Sequence, residues 1–505
     1  MKNQLLLGSL SGTIQIIVNT ILIFITIPIF IDKLGLHSYS IFSLLLLFNN
    51  LNVFVNLGLN TSLIKYVAEQ GKSIQSNYDI AVSFIMLSLI LIPISALTIF
   101  FNDIFLINLF NIERIYITPE TTTLFNYIII SNCFLLLGQI FSAVLDAQQK
   151  VYLNNFALIL YNFLYWGLIL LSLFQFPSFT SISYSILTAT LIWFVFVYIL
   201  FKRSWGSFRI NGLKNNFLNT LKKQLSYGVK LYISGAISFF HEPITKLLIS
   251  HFVGLNEVAF FDIAVRVKNQ IWNLISRVFY PLFPFISKVN DINLIKNLIH
   301  TVEQKTVFLM IPVMITFIFI STPFVSVWIG TNVDIISTTM IFITSAYLVA
   351  IIVIPAYQFL MAKGYPEKTI IIQLLNVIVN TCLFFLTLPW LGYYAAVVSG
   401  VGSILSSFIL TLYFQKKYLN SLIFDDFGQL GKSILIFILN IILGLILSEI
   451  IGINILKILL IPLFLITFSV WAFRILRIFT NEEINKFTDS NSILFKIANK
   501  ILIKK

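Results

Sequence analysis

Charge is scarce in this chain. Of its 505 residues only 10% are Asp, Glu, Lys or Arg and four are His, while 58% are apolar and the mean hydropathy is +0.95. A water-soluble chain carries charge on roughly a quarter of its residues, so a soluble fold, disorder and nucleic-acid binding are all poor readings. Two cysteines, Cys133 and Cys382, are too few and too far apart for a thiolate metal site or a disulfide framework. There is no P-loop, so ATP is not hydrolysed by this chain, and no glycine-rich dinucleotide fingerprint follows a strand. His241-Glu242 begins like a zinc-protease helix, but Thr245 stands where the second histidine is needed. No metal and no cofactor are expected. The N-terminal apolar stretch ending at Ile31 is too long for a signal-peptide core and lacks a small-residue cleavage site, so it reads as a first span.

What the chain has is apolar length. A membrane helix needs about 20 apolar residues to cross about 30 Å of hydrocarbon. Cutting at polar clusters, Gly and Pro predicts an all-α polytopic membrane protein of about fourteen spans. In order they are 8–31, 39–62, 80–101, 121–145, 153–174, 179–201, 225–252, 257–287, 306–328, 335–361, 369–389, 394–414, 431–449 and 455–475. Of the 33 Lys and Arg, five lie inside spans seven and eight, and only Lys33, Arg114 and Lys457 fall in outer loops. All others share the side of both termini, which the positive-inside rule makes cytoplasmic. The tail carries Lys496, Lys500 and Lys504 on one helical face and Leu494, Ile497 and Ile501 on another, the pattern of an interfacial helix on anionic membrane lipids.

The chain also repeats itself. Leu34-Gly35-Leu36 with Ser40 and Phe42 recurs 219 residues later as Val253-Gly254-Leu255 with Ala259 and Phe261. Ala147 and Asn162 recur as Ala362 and Asn376, at offsets of 215 and 214. The expected organisation is therefore two six-span lobes in parallel orientation. The boundaries read as 1–203, a cytoplasmic linker 204–224, 225–417, two further spans over 418–475, and the amphipathic tail 476–505.

Ionisable groups inside a membrane cost about 2.5–3.5 kcal/mol each on the insertion scale, so those that persist usually face a bundle interior or water. On span eight Asp262, Arg266, Asn269, Gln270, Asn273 and Arg277 fall within about a 100° sector of one helix face. Lys268 points the other way. Spans seven and eight turn at Gly254, so equal depth is expected for Glu242 with Arg266, for Lys246 with Asp262, and for Lys230 with Arg277. One reading is that the two opposite-charge pairs only hold the helices in register. The other is a cationic lining for an anionic headgroup, with Glu242, Asp262 and His241 exchanging ions. Span two adds Asn49, Asn52, Asn56 and Asn60 on one face, and span one adds Gln15 and Asn19. Amides facing lipid would go unsatisfied, so these faces meet protein or water. Together they describe a central cavity suited to hydroxyl-rich, phosphate-bearing cargo.

Pro28 through Leu34-Gly35-Leu36-His37-Ser38-Tyr39, then Asn56-Leu57-Gly58-Leu59 and Lys65-Tyr66-Val67-Ala68-Glu69, resemble the start of polysaccharide-biosynthesis flippases of the O-antigen (Wzx) type. The resemblance continues at Val144-Leu145-Asp146-Ala147-Gln148, Val253-Gly254-Leu255, Ala264-Val265-Arg266-Val267, Trp328-Ile329-Gly330 and Leu360-Met361-Ala362-Lys363-Gly364, covering about the first 415 residues. It implies the multidrug/oligosaccharidyl-lipid/polysaccharide (MOP) exporter fold, two six-helix lobes around a V-shaped cavity with two C-terminal helices added. The implied activity is moving an undecaprenyl-diphosphate-linked oligosaccharide across the inner membrane by alternating access. Arg266 matches the basic lining expected for the diphosphate, while an acid often found late in span seven is replaced by Thr245, with Glu242 a turn earlier. The expected partners are the lipid-linked oligosaccharide, membrane lipids, and a polymerase with other polysaccharide-assembly proteins. The rivals are a multidrug antiporter of the same fold and a membrane-embedded polysaccharide polymerase. For a polymerase, the longest outer loop, 102–120, offers no histidine.

Overall fold

The computed structural model describes residues 2–51, 58–206, 208, 210, 212–279, 282–422 and 427–479. Every regular element among them is helical. Eleven described helices are long and apolar enough to cross a membrane, and the chain is a multi-pass membrane protein. Side chains that would be wrong on a soluble surface, such as Phe163, Leu386, Ile409 and Leu463, are exposed on these helices. Lipid tails are the solvent that suits them.

The first compact unit is Met1–Asp262. It contains α1 (Lys2–Leu45), α2 (Leu59–Gln70), α3 (Ile74–Phe100), α4 (Pro119–Ala147), α5 (Val151–Gln175), α6 (Phe179–Trp205), α7 (Leu213–Phe239) and α8 (His241–Phe252). The opening turns of α9 (Leu255–Ser276) also belong to it. Its core joins Leu63 of α2, Leu87 and Leu91 of α3, Leu136, Ile140 and Val144 of α4, and Trp193, Val197 and Phe201 of α6. Gly138 lets α4 and α6 touch, since a Cβ there would sit 2.5 Å from the Trp193 ring. Ser73, Thr118 and Ser178 cap α3, α4 and α6, each side chain accepting from a backbone N–H of the first turn.

The second unit is Ile263–Lys505. After the rest of α9 come α10 (Leu282–Lys288), α11 (Ile292–Trp328), α12 (Val333–Ile351), α13 (Ile354–Ala362), α14 (Pro366–Leu391), α15 (Tyr394–Leu419), α16 (Phe427–Ile450) and α17 (Asn454–Ile475). Phe308, Ile311 and Ile315 of α11 form one core with Ile436 of α16 and with Ile461, Leu465 and Phe473 of α17. A second core gathers Ile295 and Ile299 of α11 with Phe359 and Leu360 of α13, Ile372 of α14 and Phe414 of α15.

Several expected spans are broken, each for a local reason. Span two is not one helix. Gly35 interrupts α1 with φ 84°, the segment Leu46–Leu51 is 3-10, and α2 begins only after Gly58, which has φ 75°. Span seven divides at Phe240, because Pro243 has no N–H to give the carbonyl of Phe239. Span eight ends as an α-helix at Ser276 and continues as a 3-10 turn, Arg277–Phe279, ahead of Pro281. Span ten divides into α12 and α13 at Pro355. Conversely, most of the expected connection 288–305 is the start of α11, capped by Asp291. Asn52, Asn56 and the tail from residue 480 lie outside the described residues.

Candidate functional site

The turn between α8 and α9 brings a lysine and an aspartate together as the sequence arithmetic requires. Gly254 N–H closes the end of α8 on Ile249 O at 2.9 Å, and the chain reverses into α9. Lys246 of α8 and Asp262 of α9 form a buried ion pair. Two further ligands come from α1 beyond its break at Gly35. Tyr39 OH donates to Asp262 Oδ2 at 2.6 Å, and Lys246 Nζ donates to Ser43 Oγ at 3.2 Å. All four side chains are buried, and Tyr39 is held edge-on against Phe30 at 5.6 Å. Two buried charges lose hydration that their attraction restores only if the remaining valences are filled, which is what Tyr39 and Ser43 do.

The same end of α8 is tied to the loop after α3. Asn111 Nδ2 donates to Ser250 O at 3.0 Å, Ser250 Oγ donates to Phe110 O, and His251 Nε2 lies 3.0 Å from Asn108 O. His37, two residues past Gly35, lies 3.1 Å from Asn256 Oδ1 and packs on Tyr116 at 3.9 Å between rings.

Further along α9 the burial pattern changes after Lys268. From Val258 to Lys268 every residue is buried except Arg266. Beyond Lys268 the helix is more open all round, with Asn269, Gln270, Ile271 and Trp272 half-buried and Asn273 and Leu274 exposed, so Arg266 is the one partly accessible residue within the buried stretch. Arg277, half-buried, sits in the 3-10 turn and no longer shares the α-helical phase of α9. Lys268, on the other side, is 2% exposed; it donates to Asn269 Oδ1 at 2.6 Å and lies 3.9 Å over the Tyr347 ring. A cation–π contact is how a lysine tolerates such burial.

The remaining expected site residues are dispersed. Glu242 is half-buried and His241 buried, both in the first turn of α8, and Thr245 Oγ1 donates to the His241 carbonyl at 2.8 Å. Of the asparagine face of span two, Asn52 and Asn56 lie outside the described residues, and the described parts of the span, a 3-10 segment and α2, do not share one α-helical phase. Asn49 lies in the 3-10 segment and Asn60 on α2, where it donates to Gln139 Oε1 at 3.2 Å. The side chains of Asn49 and Lys230 lie outside the described residues. Asn19 accepts from Trp166 Nε1 at 3.2 Å, a helix-to-helix bond between α1 and α5. No group of three or more metal-binding side chains occurs among the described residues.

The family model for polysaccharide biosynthesis proteins matches residues 5–290. The chain belongs to that family. It is similar, at 24% identity over 212 residues, to an uncharacterised membrane protein of the cps region of Klebsiella pneumoniae, a match spanning 39% of this chain and only 42% of that protein. Among solved structures it resembles the lipid II flippase MurJ in an inward closed conformation, with a TM-score of 0.73 at 16% identity, over 92% of this chain and 98% of that one. It also resembles an inward-facing multidrug-resistance MATE transporter of the MOP superfamily, with a TM-score of 0.61 at 13% identity, over 80% and 94% of the two chains. The chain therefore has the fold that these two solved structures share.

In this polysaccharide biosynthesis protein three helix ends recur at one interval. α4 stops at Ala147, α5 starts at Val151 and α6 starts at Phe179. At an offset of 215, α13 stops at Ala362, α14 starts at Pro366 and α15 starts at Tyr394. Tyr39 and Ser43 are what sequence reasoning missed. Their spacing of four puts both on one side of α1, but nothing local to them says that the facing groups are Lys246 and Asp262.

Proposed function

We propose that this family member is a flippase that moves an undecaprenyl-diphosphate-linked oligosaccharide across the inner membrane by alternating access, with both termini cytoplasmic. The observation that carries this reading is the accessibility of Arg266 in an otherwise buried stretch of α9, followed by Asn269, Gln270 and Asn273 on the same side. An arginine guanidinium offers a planar fork of donors suited to phosphate oxygens, and amides suit sugar hydroxyls. Arg266 and Arg277 engage the diphosphate, with Lys230 and Lys246 adding positive charge. The amides, with Asn19, Asn49, Asn52 and Asn56, take the sugar. Ion coupling falls to Asp262, Glu242 and His241, Asp262 through its bond to Lys246. The likeness to MurJ, a lipid II flippase, supports a lipid-linked cargo. A polymerase and other polysaccharide-assembly proteins then act on what the flippase delivers.

Arg266→Ala and Arg277→Ala should each abolish surface polysaccharide in a complementation strain while the protein stays in the membrane at normal level. Wild-type polysaccharide from both variants overturns the assignment. The likeness to a multidrug MATE transporter favours a second reading, export of organic cations. A cationic stripe repels such cargo, and drug hypersensitivity of a deletion strain with intact polysaccharide would establish it instead.

A further inference from the structure

A buried acid far along the chain from the α8–α9 turn has no place in the route just described. Glu303 of α11 is fully buried, and so is Gln415 of α15. Gln415 Nε2 donates to Glu303 Oε2 at 2.7 Å. The other two oxygens of the pair, Glu303 Oε1 and Gln415 Oε1, are buried with no hydrogen-bond partner among the described residues.

The charged groups on the surrounding elements are engaged elsewhere. On α11, Lys296 donates to Asn420 O, Lys305 to Ile478 O, and His300 shares a hydrogen bond with Gln304. At the end of α13, Lys363 donates to Val289 O, and at the start of α14, Lys368 pairs with Glu367 at 3.7 Å. On α16, Lys432 donates to Leu476 O, and Arg474 is half-buried at the end of α17. On α15, Lys416 is exposed and Lys417 lies over the Tyr418 ring. α12 brings only Asp334, in its first turn.

An ionised Glu303 would thus keep one hydrogen bond and no counter-charge among the described residues, which is an expensive arrangement. A proton on Oε1 turns one orphan acceptor into a donor, and Gln415 Oε1 is an acceptor waiting for one, so a small rotation closes an acid–amide ring. We propose that Glu303 is a further proton-binding site, beside Asp262, Glu242 and His241, without which transport is not coupled to the proton gradient, an inference that rests on the flippase reading for its cargo but not for its chemistry. The proton comes from water at the end of α11 and α15 that carries Lys296, Lys305, Lys416 and Lys417, binds Glu303 Oε1, and returns to water when the contact between α11 and α15 opens to hydrate the carboxylate.

Two measurements test this on the full chain in lipid vesicles. Infrared difference spectra of wild type against Glu303→Gln at neutral pH should show the carbonyl stretch of a protonated carboxylic acid, shifted in heavy water. Glu303→Gln imitates the protonated form, so it should fold with unchanged or higher thermal stability and lose the acceleration of lipid-linked-sugar transport by an imposed pH gradient. A missing acid band, or gradient acceleration preserved in Glu303→Gln, or acceleration by a sodium gradient alone, overturns the proposal. If wild type shows the acid band but moves no lipid-linked sugar, the flippase reading fails and the proton site stands.

Discussion

His37 Nδ1 lies 3.1 Å from Asn256 Oδ1, and the two residues are 219 positions apart, the same interval that separates Gly35 from Gly254. The contact fastens α1 beyond Gly35 to the turn between α8 and α9. If transport proceeds by the alternating access proposed above, this contact should open once per cycle.

Cysteines at positions 37 and 256, in a chain with Cys133 and Cys382 replaced by Ser, should be joined by a short thiol crosslinker. Transport should stop on crosslinking and return on cleavage of the linker. Unimpeded transport by the crosslinked chain would show that this contact does not open.

The Lys246–Asp262 pair should behave as a unit with Tyr39. Lys246→Met or Asp262→Asn alone leaves a buried charge without its partner, a loss of about 3–5 kcal/mol. The double variant should lose much less than the sum, and Tyr39→Phe should cost about 1.5–3 kcal/mol through a lost hydrogen bond to a charged group. Denaturation of the detergent-solubilised protein measures all four, and strict additivity would deny the coupling.

Gly58→Ala should be poorly tolerated. Gly58 has φ 75°, and a Cβ there would come 2.3 Å from the carbonyl oxygen of Gly228 on α7. A left-handed backbone and an overlap with main chain together cost about 2 kcal/mol or more. The measurement is membrane-inserted yield and thermal stability. Gly71→Ala, with nothing within 4 Å of its Cβ, isolates the backbone contribution.

Arg266→Lys separates charge from geometry. If the cargo phosphate is held by two parallel N–H donors, lysine keeps the charge and loses the fork, so transport should fall at least tenfold below wild type, about 1.4 kcal/mol. Full activity in the lysine variant would assign Arg266 a purely electrostatic role. The readout is initial rate in vesicles loaded with the lipid-linked sugar.

Much was legible without coordinates because it depends on local composition and helical phase. The membrane class followed from apolar length, and the polar side of α9 followed from a 100° step that holds as long as the helix is continuous. The Lys246–Asp262 pair followed from a single tight turn at Gly254, which fixes depth on both sides. Where the helix stops being regular, the same reasoning failed. Gly35, Gly58, Pro243 and Pro355 interrupt the phase, so Asn60 on α2 does not follow the phase of the 3-10 segment that holds Asn49, and Arg277 stands in a 3-10 turn outside the phase of α9.

The amino-acid sequence by itself determined that this chain lives in a membrane and which face of α9 carries the polar residues, since both are sums over near neighbours. Only the tertiary structure decided that Tyr39 and Ser43 complete the Lys246–Asp262 pair, that Tyr347 shelters Lys268, and that Glu303 has Gln415 as its companion. Those partners stand 79 to 223 residues apart. No periodicity reaches that far, and which helix lies against which is set by packing the whole chain at once.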